Sequence, residues 1–118
     1  MAMTVESAIA DLRRSVPSFV PNPELEPEGL HYPMFNDFAR YICSEAEVLQ
    51  YAASREEATR LSRVPDCMMF LERAFLDGDS TVRDLVLECV ESLSECPWRD
   101  QIKPWAGPGI AAHLKLAS

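Results

Sequence analysis

The stretch that decides the fold is 65-PDCMMFLERAFLDGDSTVRDLVLECVESLSE-95. In its second half Val82, Leu85, Val86, Cys89, Val90 and Leu93 recur at the period of a helix with one buried side. Asp84, Glu88, Glu91 and Glu95, spaced four, three and four apart, fall on the opposite side as one acidic stripe. The first half carries Met68, Phe70, Leu71, Ala74, Phe75 and Leu76, too many apolar residues for a single stripe. A helix from about Pro65 to Leu76 with both sides covered is expected there. Gly78 stands where a glycine closes a helix. Asp79 or Ser80 caps the next helix, expected to run to about Glu95. So short a connection makes the two helices antiparallel neighbours.

The same reading extends outward. Thr4 caps a first helix to Ser15 with Val5, Ala8, Ile9, Leu12 and Val16 on one face, and Pro17 ends it. Five prolines and Gly29 lie within residues 17–33 and exclude helix, so 17–32 is read as an extended surface connection. Phe19, Val20, Leu25 and Leu30 are available to pin it. A second helical region begins near Pro33, with Phe35, Phe38, Ala39 and Ile42 as its stripe. Ser44 with Glu47, and Ser54 with Glu57, have the spacing of capping boxes, which divides residues 33–64 into two or three helices. Pro97, Trp98, Ile102 and Trp105 precede a break at Gly107-Pro108-Gly109, and residues 110–116 suggest a last short helix. The expected architecture is all-α: one domain over residues 1–118, a single bundle of five to seven short helices.

Composition narrows the function classes. The net charge of −8 is uneven: residues 66–95 hold eight acids against Arg73 and Arg83. Phosphates would be repelled from that surface, which disfavours nucleic acid as a partner and favours a basic protein. An acidic surface that merely keeps the chain soluble is the competing reading. Met1 to Arg14 lacks an apolar run and contains Glu6 and Asp11, so no leader is expected. No stretch approaches the roughly 20 apolar residues that span a bilayer. Cys43, Cys67, Cys89 and Cys96 lack C-x-x-C spacing, and three of them fall at or beside apolar stripes. Reduced, buried thiols in a cytoplasmic setting are expected.

Chemistry-bearing motifs are absent. There is no Gly-rich phosphate loop, no H-E-x-x-H and no G-x-S-x-G. His31 reads as a loop residue and His113 as a polar residue on the last helix; nothing joins them as a metal site. Cys89 and His113 would make a nucleophile and base only if Cys89 escaped its apolar stripe. Carboxylates on one solvated helix face have like environments, which is unsuited to acid–base division of labour. No catalytic residue, cofactor or metal is expected. The candidate contact residues are Asp84, Glu88, Glu91 and Glu95, with Asp77 and Asp79 at the turn and Leu87 off the core stripe. Trp98 and Trp105 are either a clasp for the C-terminal segment or an exposed anchor, and Trp98 is included as a contact candidate.

The order Phe70-Leu71-Glu72, Leu76-Asp77-Gly78-Asp79, Val82, Val90-Glu91-Ser92-Leu93 and then Gly107-Pro108 resembles a small bacterial all-helical family of uncharacterised proteins. That family is associated with polymorphic or contact-delivered toxins and looks like their immunity proteins. Tyr32-Pro33 with Phe35 and Phe38 matches its earlier apolar helix, so the resemblance covers roughly residues 32–112. Some relatives carry an Asn within the acidic helix, whereas this chain has none after Asn36. The resemblance implies no catalytic residues. It implies a role: binding a cognate bacterial toxin domain with a basic surface. A helical adaptor with an unrelated protein partner is the alternative.

Overall fold

Thr4 opens the first helix with a reciprocal box. Its hydroxyl accepts from the Ser7 N–H at 3.3 Å, and the Ser7 hydroxyl accepts from the Thr4 N–H at 2.8 Å. In the computed structural model, which describes residues 2–20 and 31–113, this helix is α1 (Val5–Ser15). There follow α2 (His31–Leu49), α3 (Arg55–Leu61), α4 (Val64–Asp77), α5 (Ser80–Leu93), α6 (Arg99–Ile102), a 3-10 turn at Lys103–Trp105, and α7 (Pro108–Ala111). The protein is an all-α bundle. No helix among the described residues is long and apolar enough to cross a membrane.

Several expected boundaries move. α2 is one helix of 19 residues, so Ser44 and Glu47 lie inside it and form no box. His31, read as a loop residue, is its first residue. Ser54 does cap α3 by accepting from the Glu57 N–H at 3.1 Å. The Glu57 carboxylate reaches one residue further back than a capping box requires, to the Ala53 N–H at 3.0 Å. α5 stops at Leu93, short of Glu95. Within the Pro-rich connection, residues 21–30, and with them Leu25 and Leu30, lie outside the described residues. Of its described part, Phe19 is buried against Phe38 and Tyr41 with ring centroids 5.0 and 5.3 Å away, whereas Val20 is exposed. Residues 114–118, and with them the second half of the helix expected over 110–116, also lie outside the described residues.

The largest helix pairing is α2 with α5. Phe35, Phe38, Ala39 and Ile42 of α2 and Leu85, Val86, Cys89 and Leu93 of α5 belong to one buried core. α4 touches α1, α2, α3, α5, α7 and the 3-10 turn, the central position expected of it. Its coverage is incomplete, since Met69 and Leu76 remain exposed. The energetics of α5 are one-sided. Its like-charge neighbours cost about 0.2–0.5 kcal/mol per pair, whereas each of its buried large apolar side chains contributes about 1.5–3 kcal/mol.

Three polar ties close the bundle. The first lies at the turn between α4 and α5. The Met3 N–H donates to the Asp77 carbonyl at 2.6 Å, and the Asp79 N–H donates to the Met3 carbonyl at 2.9 Å, an isolated parallel bridge. Gly78 has an ordinary φ of −72°, so glycine is required here by space rather than by handedness. A Cβ would lie 2.3 Å from the Ala74 carbonyl oxygen and 2.5 Å from Val82 Cγ1. The second tie is Glu72, whose two carboxylate oxygens accept from the Gly109 and Ile110 N–H groups at 2.9 and 3.0 Å. The first turn of α7 thus gains the acceptors that its own ladder cannot supply. A Cβ at residue 107 would fall 2.4 Å from Glu72 Cδ, which explains the Gly-Pro-Gly sequence.

The third tie joins α1 to α4. Asp11 is 6% exposed and accepts from Arg73 Nε and Nη2 at 3.2 Å each. It also accepts from the Ser15 hydroxyl at 3.0 Å and Arg14 at 3.2 Å. Burial pushes its carboxyl up, but the hydrogen bonds from Arg73 and Ser15 and the Arg73 charge outweigh this and hold it below its ordinary value. A depressed folded value makes the stabilisation full above the unfolded carboxyl range and lost as the pH falls through it.

Asp11→Asn should therefore lower the unfolding free energy by about 1–3 kcal/mol at neutral pH. That gap should shrink below pH 3.8. Urea unfolding across that range checks it, and a gap independent of pH would refute it. Glu72→Ala should speed hydrogen exchange at the Gly109 and Ile110 amides while α5 amides are unchanged; equal acceleration in both places would mean that Glu72 is not a local latch.

Candidate functional site

The acidic face follows from how α5 is capped and packed. The Asp79 carboxylate accepts from the Val82 N–H at 2.9 Å and fixes the helix start. With Val82, Leu85, Val86, Cys89, Val90 and Leu93 buried, the helical period leaves Asp84, Glu88 and Glu91 outside, and all three are exposed. Glu95 lies beyond the helix but continues the ridge. The Glu95 N–H donates to the Ser92 carbonyl at 3.2 Å and the Cys96 N–H to Leu93 at 3.0 Å, so the chain keeps turning for another few residues.

None of the ion pairs among the described residues reaches these four acids. The neighbouring arginines bond elsewhere. Arg73 binds Asp11, Arg40 pairs with Asp37 at 2.7 Å, Arg83 donates to the Phe75 carbonyl at 3.1 Å, and Arg99 donates to the Ser94 carbonyl at 3.3 Å.

The ridge is one wall of a groove. Between α2 and α5 runs an open depression of ≈ 530 Å³ lined by Glu88, Glu91 and Glu95, with Asn36, Arg40 and Ser92 among its polar groups and Ala39 and Pro97 among its apolar ones. The Ser92 hydroxyl donates to Asn36 Oδ1 at 3.4 Å across it. On the other side of the ridge lies a smaller hollow of ≈ 280 Å³ lined by Leu87, Val90, Glu91, Ser94 and His113. Glu91 therefore stands on the crest between two depressions, and Leu87 is half-buried at the edge of the second.

The remaining candidates are dispersed. Asp77 is exposed at the end of α4, one turn of chain away from the ridge. Asp79 is half-buried, with its carboxylate engaged as the cap of its own helix. Trp98 is half-buried against the core, as is Trp105. The Arg55 guanidinium lies 4.0 Å from the Trp105 ring centroid, a cation–π contact that fastens the C-terminal segment to α3. His113 follows α7 and meets the Phe75 ring edge-on at 5.2 Å.

The cysteines overturn one expectation. Cys43 and Cys96 form a disulfide that ties α2 to the turn after α5, and both line the acidic groove. Cys67 and Cys89 are free and buried, and burial pushes both thiols up, away from ionisation. The expectation of four reduced thiols fails because it rests on the absence of C-x-x-C spacing and on the apolar stripes beside three of the cysteines, and neither gives a distance between residues 53 positions apart. The sealed Cys89 thiol is unsuited to nucleophilic work with His113. Among the described residues, no three His, Cys, Asp or Glu side chains converge as a metal site.

No family model, curated protein or solved structure matches this chain. The resemblance to toxin-associated proteins rests on the residues quoted above and on nothing else.

Thiol titration tests the cysteine arrangement. Unfolded without reductant, the protein should expose the thiols of Cys67 and Cys89 alone, with Cys43 and Cys96 joining only after reduction. Reactivity of all four before reduction would remove the bridge.

Proposed function

We propose that this chain is an immunity protein: it binds a cognate bacterial toxin domain and neutralises it without catalysis, and α5 is its contact face. The observation that supports this reading most is a row of exposed carboxylates, set along a groove, that none of the ion pairs among the described residues reaches. In a folded protein such a row keeps its charge available. A basic cleft on a toxin would gain both attraction at distance, which speeds encounter, and charge-assisted hydrogen bonds at contact. Glu88, Glu91 and Glu95 would meet the partner's cations in the groove, with Asp84 extending the ridge. Leu87 offers an apolar contact beside Glu91, and Trp98 and Asp77 lie at the margins. Asp79 contributes through its charge, since its oxygen already serves the helix cap. Nucleic acid is not a partner in this reading, since phosphates would face the same carboxylates.

A cytoplasmic working place remains part of the proposal, and it sets a condition on the bridge. In a glutathione-buffered compartment a disulfide persists only if its reduction potential lies low enough. The oxidation state of Cys43 and Cys96 in protein alkylated at harvest therefore reports the compartment. A helical adaptor is the alternative, and a toxin gene adjacent to this one separates the two readings.

The direct test is charge reversal, measured as affinity for the toxin domain encoded beside the chain. Glu88→Lys with Glu91→Lys should leave the helical circular dichroism unchanged and weaken binding more than about tenfold, with a steep loss of wild-type affinity as salt rises. The matched control is Glu47→Lys with Glu56→Lys, both exposed; Glu57 is unsuitable because its carboxylate holds the Ala53 N–H. Equal losses in the two double variants would remove the ridge from the mechanism.

A further inference from the structure

We propose that the Cys43–Cys96 bridge is a thiol-exchange site, opened at Cys43 by cationic thiols that enter along the acidic groove, with Cys96 as the leaving sulfur. The inference does not depend on whether the ridge binds a toxin.

Three features converge on it. The first is access. Both cysteines line the ≈ 530 Å³ groove, but unequally: Cys96 is 4% exposed, whereas Cys43 is only partly buried. A thiolate entering the groove therefore meets Cys43 as the more open residue of the pair. The second is the leaving group. The Trp98 backbone N–H donates to Cys96 Sγ at 3.4 Å. A donor already aimed at that sulfur stabilises the thiolate formed there, and a stabilised thiolate leaves faster. The third is charge. Glu88, Glu91 and Glu95 surround the approach, while the one guanidinium lining the groove, Arg40, is paired with Asp37. A thiolate with a second negative group is repelled from such a site, whereas the ammonium of an aminothiol is attracted by the carboxylates and offsets the charge of its own thiolate.

The chemistry balances. The thiolate of an aminothiol attacks Cys43 Sγ and forms a mixed disulfide. The electron pair of the broken S–S bond goes to Cys96 Sγ, which then takes a proton from solvent. A second thiolate attacks the small-molecule sulfur of the mixed disulfide and expels Cys43, which is protonated in turn. Two aminothiols are oxidised to their disulfide, and the bridge is reduced to two thiols. Cys67 and Cys89 take no part, being buried. Opening the bridge releases the turn that carries Glu95 from its covalent hold on α2, so the end of the ridge loses its anchor.

The experiment uses the oxidised full chain at low ionic strength and compares cysteamine with 2-mercaptoethanesulfonate at matched thiolate concentration. Reactions are quenched with acid, free thiols are capped with N-ethylmaleimide, and the peptides are mapped by mass. The added thiol should sit on Cys43 and the maleimide on Cys96. Cysteamine should react about tenfold faster, and the ratio should fall towards one in about 1 M salt or in the Glu88→Gln, Glu91→Gln variant. The proposal is overturned if the adduct lies on Cys96 or is shared equally, if the two thiols react alike at low salt, or if the bridge opens only in denaturant.

Discussion

The packing of α5 against α2 and α4 is the constraint from which the rest follows. Once Leu85, Val86, Cys89 and Leu93 are buried against Phe35, Phe38 and their neighbours, the helical period leaves no choice about where Asp84, Glu88 and Glu91 point. The acidic face is thus a geometric consequence of the core. Its self-repulsion is small beside the apolar burial on the other side of the same helix, so the ridge can be retained without threatening the fold. What makes it a candidate site is that the arginines near it are bonded elsewhere, to Asp11, Asp37 and backbone carbonyls. Among the described residues, no ion pair reaches the ridge.

Around that pair of helices the shorter elements are fastened by polar ties rather than by area alone. α7 has four residues and cannot support itself as an isolated helix. Glu72 supplies its missing acceptors, and glycines at 107 and 109 let the backbone approach. Asp11 does comparable work between α1 and α4, where a single carboxylate gathers Arg73, Ser15 and Arg14. Such ties add little net energy when complete but cost much when half-broken, because a buried charge is then left without its partner.

Much of this was legible in the sequence, and the part that was not has one cause. Apolar periodicity identifies α1 and α5, the apolar run bounded by Pro65 and Gly78 identifies α4, and the caps at Thr4 and Ser54, with Asp79 as one of two candidates beside Ser80, are local features that residue spacing reveals. Which residues would be outward on α5 was equally readable. The long reach of α2 was misjudged because Ser44 and Glu47 imitate a helix start, a signal that tertiary packing overrides. Asp11 looked like an ordinary polar residue of α1, because its partner Arg73 is 62 positions away. Glu72 and the Cys43–Cys96 bridge were hidden for the same reason. Four cysteines allow several pairings, and sequence spacing does not choose among them. The groove itself could not be read, since it exists only where α2 and α5 are brought side by side.

The bridge bears on how the chain finds its shape. α2 and α5 lie far apart along the sequence, so their meeting demands closure of a long loop before any apolar contact rewards it. The cross-link joins residues 53 apart, close to both partners of the largest helix pairing. On the chain-entropy view, a closed loop of that size removes about 4 kcal/mol of freedom from the unfolded ensemble. An oxidised chain begins its search already tethered, whereas a reduced one must first bring together two strangers.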